Sequence, residues 1–301
     1  MRRIRLETEN RWCQWLLLAL CLLVSGGAAG DGTGEAEAAT SVQVQSRSGV
    51  FSGLGEQALS RDFPDSAVWL ELADGGQALG LFRPARREPA LGALVLLGDV
   101  GETAASGLAG VLAGQLAERG WATITLGLEA PSPSLQRLLE KVPEPVPEVP
   151  DDSTSGTLPA VMAGAGEEEG GPEELYRERV QEMLSAALAE LAGRGFEQPV
   201  LLGVGYACNY LAGWPEDAGS VKALIWVAPA FYPGTRVGLE DWIEALTDMT
   251  ILELSAPASG NRGRWPAVAP YSYQPVAITQ PPSVTDAGMI AGRIHSWLQP
   301  R

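Results

Sequence analysis

Histidine is nearly absent from this chain: among 301 residues there is one, His295. Cysteine is scarce too, with only Cys13, Cys21 and Cys208. Positive charge is in deficit, 21 Lys and Arg against 37 Asp and Glu, for a net charge of −16. Each shortage excludes something. A histidine-rich metal site has no ligands to draw on, and any Ser-His-Asp scheme must run through His295. An acidic chain without a basic stripe repels phosphate backbones, which removes nucleic acid as a partner. Long apolar runs are missing as well. The longest uncharged one near the start, residues 15–24, falls short of the roughly 20 residues a membrane-spanning helix needs.

That run belongs to a leader. Arg2, Arg3, Arg5 and Arg11 precede it and "SGGAAGDG" follows it, the positive, apolar, small-residue order of a secretory signal peptide. We expect residues 1–29 to be removed near Ala29, with no stable membrane span afterwards. Leu20, before Cys21, is not the small residue that lipid attachment to that cysteine wants. Cys13 and Cys21 depart with the leader, and Cys208 alone cannot form an internal disulfide. Four arginines and two glutamates leave too, so the charge becomes about −18.

Residues 30–62, rich in Gly, Ala, Ser and Glu, read as a flexible leader to a domain at 63–301. Within that domain "AVWLEL" and "ALGLFRP" flank "ADGGQ", a hairpin signature. "ALVLLGD", "WATITLGL", "PVLLGVG", "VKALIWVAP", "MTILELSAP" and "YQPVAIT" read as further strands. Between them "SGLAGVLAGQLAERG", "PEELYRERVQEMLSAALAELAGRG", "GLEDWIEAL" and the terminal "SVTDAGMIAGRIHSWL" carry helical spacing. Residues 130–171 interrupt the pattern with prolines at 143, 145, 147 and 150 and the run "EEE". That composition predicts a disordered insertion, with a lid over a binding site as the alternative.

Strands alternating with helices predict an α/β fold: a mostly parallel sheet of about seven or eight strands, helices on both faces, and an antiparallel edge hairpin. A strand–turn–helix at the fifth major strand then makes the layout α/β-hydrolase-like. In that fold a nucleophile sits in a small-x-nucleophile-x-small turn. Here the turn is "GVGYA", with Gly203 and Ala207 at the flanks and Gly205 at the centre. The bend is allowed and the attacking oxygen is missing. Cys208 cannot replace it, because that frame puts Tyr206 and Tyr210 at the small positions; it reads as a core thiol.

The remaining machinery is missing by position. The loop after the third strand, "LLGDVGET", exposes backbone but brings Asp99 and Glu102 to where an oxyanion would form. "LELSAPASGN" offers only Glu253, inside a strand, and "AITQPPSVTD" has no histidine. No catalytic residue is therefore assigned. The candidate pocket residues are Asp99, Val100, Gly101, Glu102, Gly205 and Tyr206. Residues 151–152 and 167–169 lack the spacing of a calcium loop, and "GVGYAC" lacks the rest of a dinucleotide fingerprint. Neither a metal nor a cofactor is expected.

"VLLGDVGETAASGLAGVLAGQLAERGWATITLGLEAP", the Pro- and Glu-rich interruption, "PVLLGVGYACNYLAG" and "GRIHSWL" together resemble an uncharacterised family of exported proteobacterial proteins. That family is known as a domain of unknown function related to the α/β-hydrolase superfamily. The resemblance spans roughly residues 60–300. It implies a Gly-Asp-Gly-Glu-like loop after the third strand, matched by Asp99 and Glu102, and a glycine in the nucleophile turn, matched by Gly205. The loop here, "GDVGE", is one residue longer, and Val204 and Tyr206 replace more polar neighbours. The resemblance implies export, periplasmic or secreted in a Gram-negative bacterium, and no established activity.

Three functions follow as expectations. The first is binding of a small molecule or an envelope protein without triad catalysis. The second is ester or acyl hydrolysis with Asp99 or Glu102 as base, against which stands plain solvation of those carboxylates or capping of the next helix by Glu102 and Thr103. The third is a structural envelope role read through the acidic insertion.

Overall fold

Apolar runs with no polar face must be covered on both sides, and the strands form one sheet between two helical layers. The computed structural model describes residues 54–142, 171–214, 221–246, 249–256, 273–278 and 282–299. Residues 1–29, expected to be a signal peptide, the leader to residue 53 and the acidic stretch 143–170 lie outside the described residues. Along the chain run α1 (Leu54–Asp62), β1 (Ala67–Glu71), β2 (Gln77–Arg83), β3 (Gly92–Val100), α2 (Gly107–Glu118) and β4 (Trp121–Leu128). Then come α3 (Pro133–Leu139), α4 (Pro172–Gly193), β5 (Val200–Val204), and a 3₁₀ turn at Gly205–Ala207 that runs into α5 (Cys208–Leu211). The rest are β6 (Ala223–Val227), α6 (Pro233–Arg236), α7 (Leu239–Ala245), β7 (Thr250–Ser255), β8 (Tyr273–Ala277) and α8 (Ala287–Leu298).

The sheet order is β1-β2-β4-β3-β5-β6-β7-β8. β2 is antiparallel to both β1 and β4, and β3 through β8 are parallel to one another. The eight strands, the parallel majority and the edge hairpin are those the sequence predicts.

Side chains alternate across the sheet with period two. Val95, Leu97, Leu201, Leu224 and Trp226 face α4, α5 and α7, together with Val180, Leu211 and Ile243. Leu94, Leu96, Leu202 and Ile225 face α2 and α8, together with Leu112, Leu116, Ile290 and Ile294. Leu96 is fully buried; cutting such a leucine to alanine costs about 2–5 kcal/mol.

Three helices stand where none was expected, the single-turn α6 and two longer ones. The leader read as flexible ends in α1, whose Glu56 Oε1 accepts a hydrogen bond from the Leu79 amide of β2 at 3.2 Å. That contact fixes the segment to the sheet. The insertion read as disordered begins with α3, where Ser132 caps the Leu135 amide at 3.3 Å and Pro133 occupies the first helical position.

Candidate functional site

β3 and β5 are neighbours, paired parallel from Leu94–Val200 to Leu97–Gly203. Their carboxyl ends therefore bring Asp99 and Gly205 together. Gly205 has φ +60°, a left-handed conformation that disfavours any side chain. A Cβ built there would overlap the Asp99 carboxylate carbon and both its oxygens. The volume that a nucleophile's side chain needs is thus filled by an acid from the adjacent strand.

Asp99 Oδ1 accepts two hydrogen bonds, from the Val100 amide and from the Tyr206 amide, each 2.8 Å. In α/β-hydrolases the oxyanion hole is built from the amide after the nucleophile and an amide of the loop after the third strand. Tyr206 follows Gly205, and Val100 ends β3. One resident carboxylate oxygen takes both donors that would otherwise stabilise a developing oxyanion.

Glu102 reaches back under this corner. Its Oε2 accepts the Asp99 amide at 3.1 Å, and its carboxylate lies so close to Gly107, at the start of α2, that a Cβ there would overlap it. Burial, opposed by the Asp99 amide and reinforced by the Asp99 charge, raises its pKa above the ordinary 4.5. The chain carrying it is pinned to β4: the Gly101 amide donates to the Leu128 carbonyl at 2.7 Å, and the Leu128 amide to the Glu102 carbonyl at 2.9 Å. Ser106, not Glu102 or Thr103, stands before the first residue of α2, with its Oγ accepting the Thr103 amide at 2.8 Å.

Around these groups opens a cavity of about 270 Å³ walled by Asp99, Glu102, Leu108, Val204, Gly205 and Tyr206, with Ala228, Ala230 and Pro282–Val284 opposite. Four of the six expected residues line it. Val100 and Gly101 do not, because the turn at Gly101 carries the chain toward β4; Val100 contributes through its amide alone. Among the described residues of the wall there is no Lys, Arg or His.

Sequence reasoning missed the brace behind the corner. Asn209, buried, donates through Nδ2 to the carbonyls of Tyr206 and Ala230, both at 2.7 Å, and accepts the Tyr232 amide at 2.8 Å. It ties the turn after β5 to the segment after β6, where the rings of Tyr206 and Tyr232 stack at 4.8 Å. Burial, with Tyr206 and Asp99 nearby, pushes the Tyr232 phenol up to about 12. Ala228 in the same segment has φ 48°, a strained value for a residue with a Cβ. No sequence signal marks Ala228; an asparagine in an apolar helix is a weak signal for such a brace.

The model of a family described as protein of unknown function (DUF3530) matches residues 13–257. The chain belongs to that family. Solved structures share the DUF3530 protein's fold at low identity. Dienelactone hydrolase from Anabaena variabilis is 12% identical with a TM-score of 0.51, covering 77% of this chain and 94% of its own. A soluble variant of monoglyceride lipase from Saccharomyces cerevisiae is 10% identical with a TM-score of 0.50, covering 77% and 96%. At such identities the likeness concerns the fold alone, which is α/β-hydrolase-like. No curated protein sequence matches the chain.

Among the described residues, Glu253, His295 and Cys208 are not part of the cavity wall. Glu253 lies within β7, buried, with Tyr273 Oη donating to its Oε2 at 2.6 Å. Pro282, Ser283 and Val284 line the cavity just before α8, in the stretch where a catalytic histidine would follow the last strand. His295 is in the last turn of α8, its Nδ1 accepting the Trp121 indole N–H at 3.0 Å. Trp121 begins β4, so the imidazole is at the opposite end of the sheet from the corner. Cys208 is buried, its Sγ 3.3 Å from the Gly203 carbonyl, and burial raises its pKa well above the ordinary value.

Among the described wall residues, Ser283 is the one whose hydroxyl has a proton acceptor in reach, Asp286 Oδ2 at 2.7 Å. That pair forms a reciprocal cap, since Asp286 also accepts the Ser283 amide at 2.9 Å. The cap lowers the Asp286 pKa, which makes it a poorer base. Among the described residues no three of His, Cys, Asp and Glu converge as metal ligands, and no helix is long and apolar enough to cross a membrane.

Proposed function

We propose that this protein is a binding protein on a hydrolase-like scaffold, without triad catalysis, and that its cavity takes a group rich in hydrogen-bond donors, such as an amine or guanidinium. The observation that carries this reading is the single Asp99 oxygen holding both the Val100 and Tyr206 amides. A hydrolase corner offers donors to an oxyanion; this corner offers carboxylate. Glu102 adds a second carboxylate to the same wall, and Tyr206, still 40% exposed, adds a ring face that favours a cation. The donor can belong to a small molecule or to a partner's side chain. The leader "MRRIRLETENRW" and its apolar run support export, and we place the binding role in the cell envelope, periplasmic or secreted.

Calorimetric titration with methylguanidinium, beside a panel of short and long acyl esters, tests the reading. Binding should weaken on the order of tenfold in Asp99→Asn, the loss of one charge-assisted contact, and no ester should turn over. Absence of cation binding, or ester hydrolysis abolished by a pocket substitution, would reject it.

One observation favours the second reading, hydrolysis of an ester or related acyl substrate with Asp99 or Glu102 as base. Both carboxylates line the cavity, and Glu102 holds its proton more tightly than an ordinary glutamate. Under that reading Glu102→Gln abolishes turnover; under the binding reading there is no turnover to lose.

A further inference from the structure

We propose that Asp99 is the specificity-determining residue of the cavity: it is the resident anion of an otherwise intact two-amide anion site, and without it the corner binds small carboxylates. The proposal rests on the binding reading, deepening it by naming the side chain that sets which sign of charge the corner accepts.

The two donors converge from different strand ends, and each is held independently of the Asp99 side chain. Val100 pairs with Leu128 of β4, and the next amide, Gly101, donates to the Leu128 carbonyl at 2.7 Å. On the other side the Tyr206 carbonyl is held by Asn209 Nδ2 at 2.7 Å, and the Gly205 carbonyl accepts the Ala230 amide at 3.0 Å. Removing the carboxylate therefore leaves two N–H groups fixed at the spacing that suits one oxygen. One part-buried and one exposed donor then lose their charged acceptor, and an entering anion replaces it with a charge-assisted pair of hydrogen bonds. Space is available too. Position 205 has no Cβ, and the vacated carboxylate volume joins the cavity already bounded by Gly205 and Tyr206.

Glu102 is the one internal competitor on the wall. Its carboxylate is already engaged by the Asp99 amide and seated against Gly98 and Gly107. The double substitution Asp99→Ala with Glu102→Gln removes that competitor.

The test is an acetate titration of the full chain, followed by ¹H–¹⁵N correlation spectra and thermal denaturation, with chloride holding ionic strength constant. In Asp99→Ala, and more strongly in the double variant, the Val100 and Tyr206 amide signals should move downfield and saturate. The unfolding midpoint should rise with acetate. Affinity should exceed that of the wild type by on the order of tenfold. Acetamide should do neither, and Asp99→Asn, whose side-chain carbonyl still fills the site, should not respond. Should Asp99→Ala be unfolded alone, acetate should restore it. Amide signals that ignore acetate, an equal response in the wild type, or an unfolded variant that acetate does not rescue would each overturn the proposal. Methylguanidinium binding to the wild type is read separately, so its failure strikes the binding reading and leaves the acetate result standing.

Discussion

One hydrogen atom on Gly205 stands where a nucleophile's side chain would begin, and the Asp99 carboxylate has taken the space beyond it. A serine placed there should not create chemistry. Gly205→Ser should destabilise the protein by about 1–3 kcal/mol, from a side chain at φ +60° and from overlap with the carboxylate. Its rate on nitrophenyl esters should equal the buffer rate. Denaturant midpoints and ester assays check both. Glu102 sets a pH dependence of definite sign. Its folded-state pKa lies above the ordinary 4.5, so its contribution is fully present below 4.5 and is lost as pH rises through the folded value. Glu102→Gln, which can still accept the Asp99 amide, should gain stability on the wild type as pH climbs through that window. Above it the difference should be constant.

Elements meet at this corner through few groups, and Asn209, beside the Ala230 amide bond to the Gly205 carbonyl, joins the turn after β5 to the chain after β6. Asn209→Ala removes a donor from the Tyr206 and Ala230 carbonyls and the acceptor of the Tyr232 amide. A loss of about 2–3 kcal/mol is expected, read by chemical denaturation, together with weaker Tyr206–Tyr232 stacking seen as altered tyrosine fluorescence. Strands were the most legible elements. β4 occupies the stretch "WATITLGL", which is rich in β-formers, alternates, and is bounded by turns. α3 carried its own signal, Ser132 and Pro133 at the cap, with Leu135 one helical turn from Leu139, but the prolines after it hid that signal. α1 was illegible for a different reason: Glu56 meets Leu79 across 23 residues, and local composition does not reveal such a contact.

For the whole molecule, strand order decides which residues meet. β3 and β5 are adjacent although α2, β4, α3 and α4 separate them in sequence, and that topology made the convergence of Asp99, Glu102, Gly205 and Tyr206 foreseeable. What the carboxylate does there was not foreseeable, because a side chain's choice between solvent and two amides depends on ångström-scale placement. Nor was the far wall at Pro282, Ser283 and Val284. The formal charge of −16 has the same sign as the cavity wall, so long-range and local fields both draw cations and repel anions. Labelling of the purified full chain with a fluorophosphonate serine-hydrolase probe tests the proposed idleness of the corner most directly. No covalent adduct should form on the wild type or on Gly205→Ser. A stoichiometric adduct on a residue of the cavity wall, blocked by prior incubation with an ester, would contradict it.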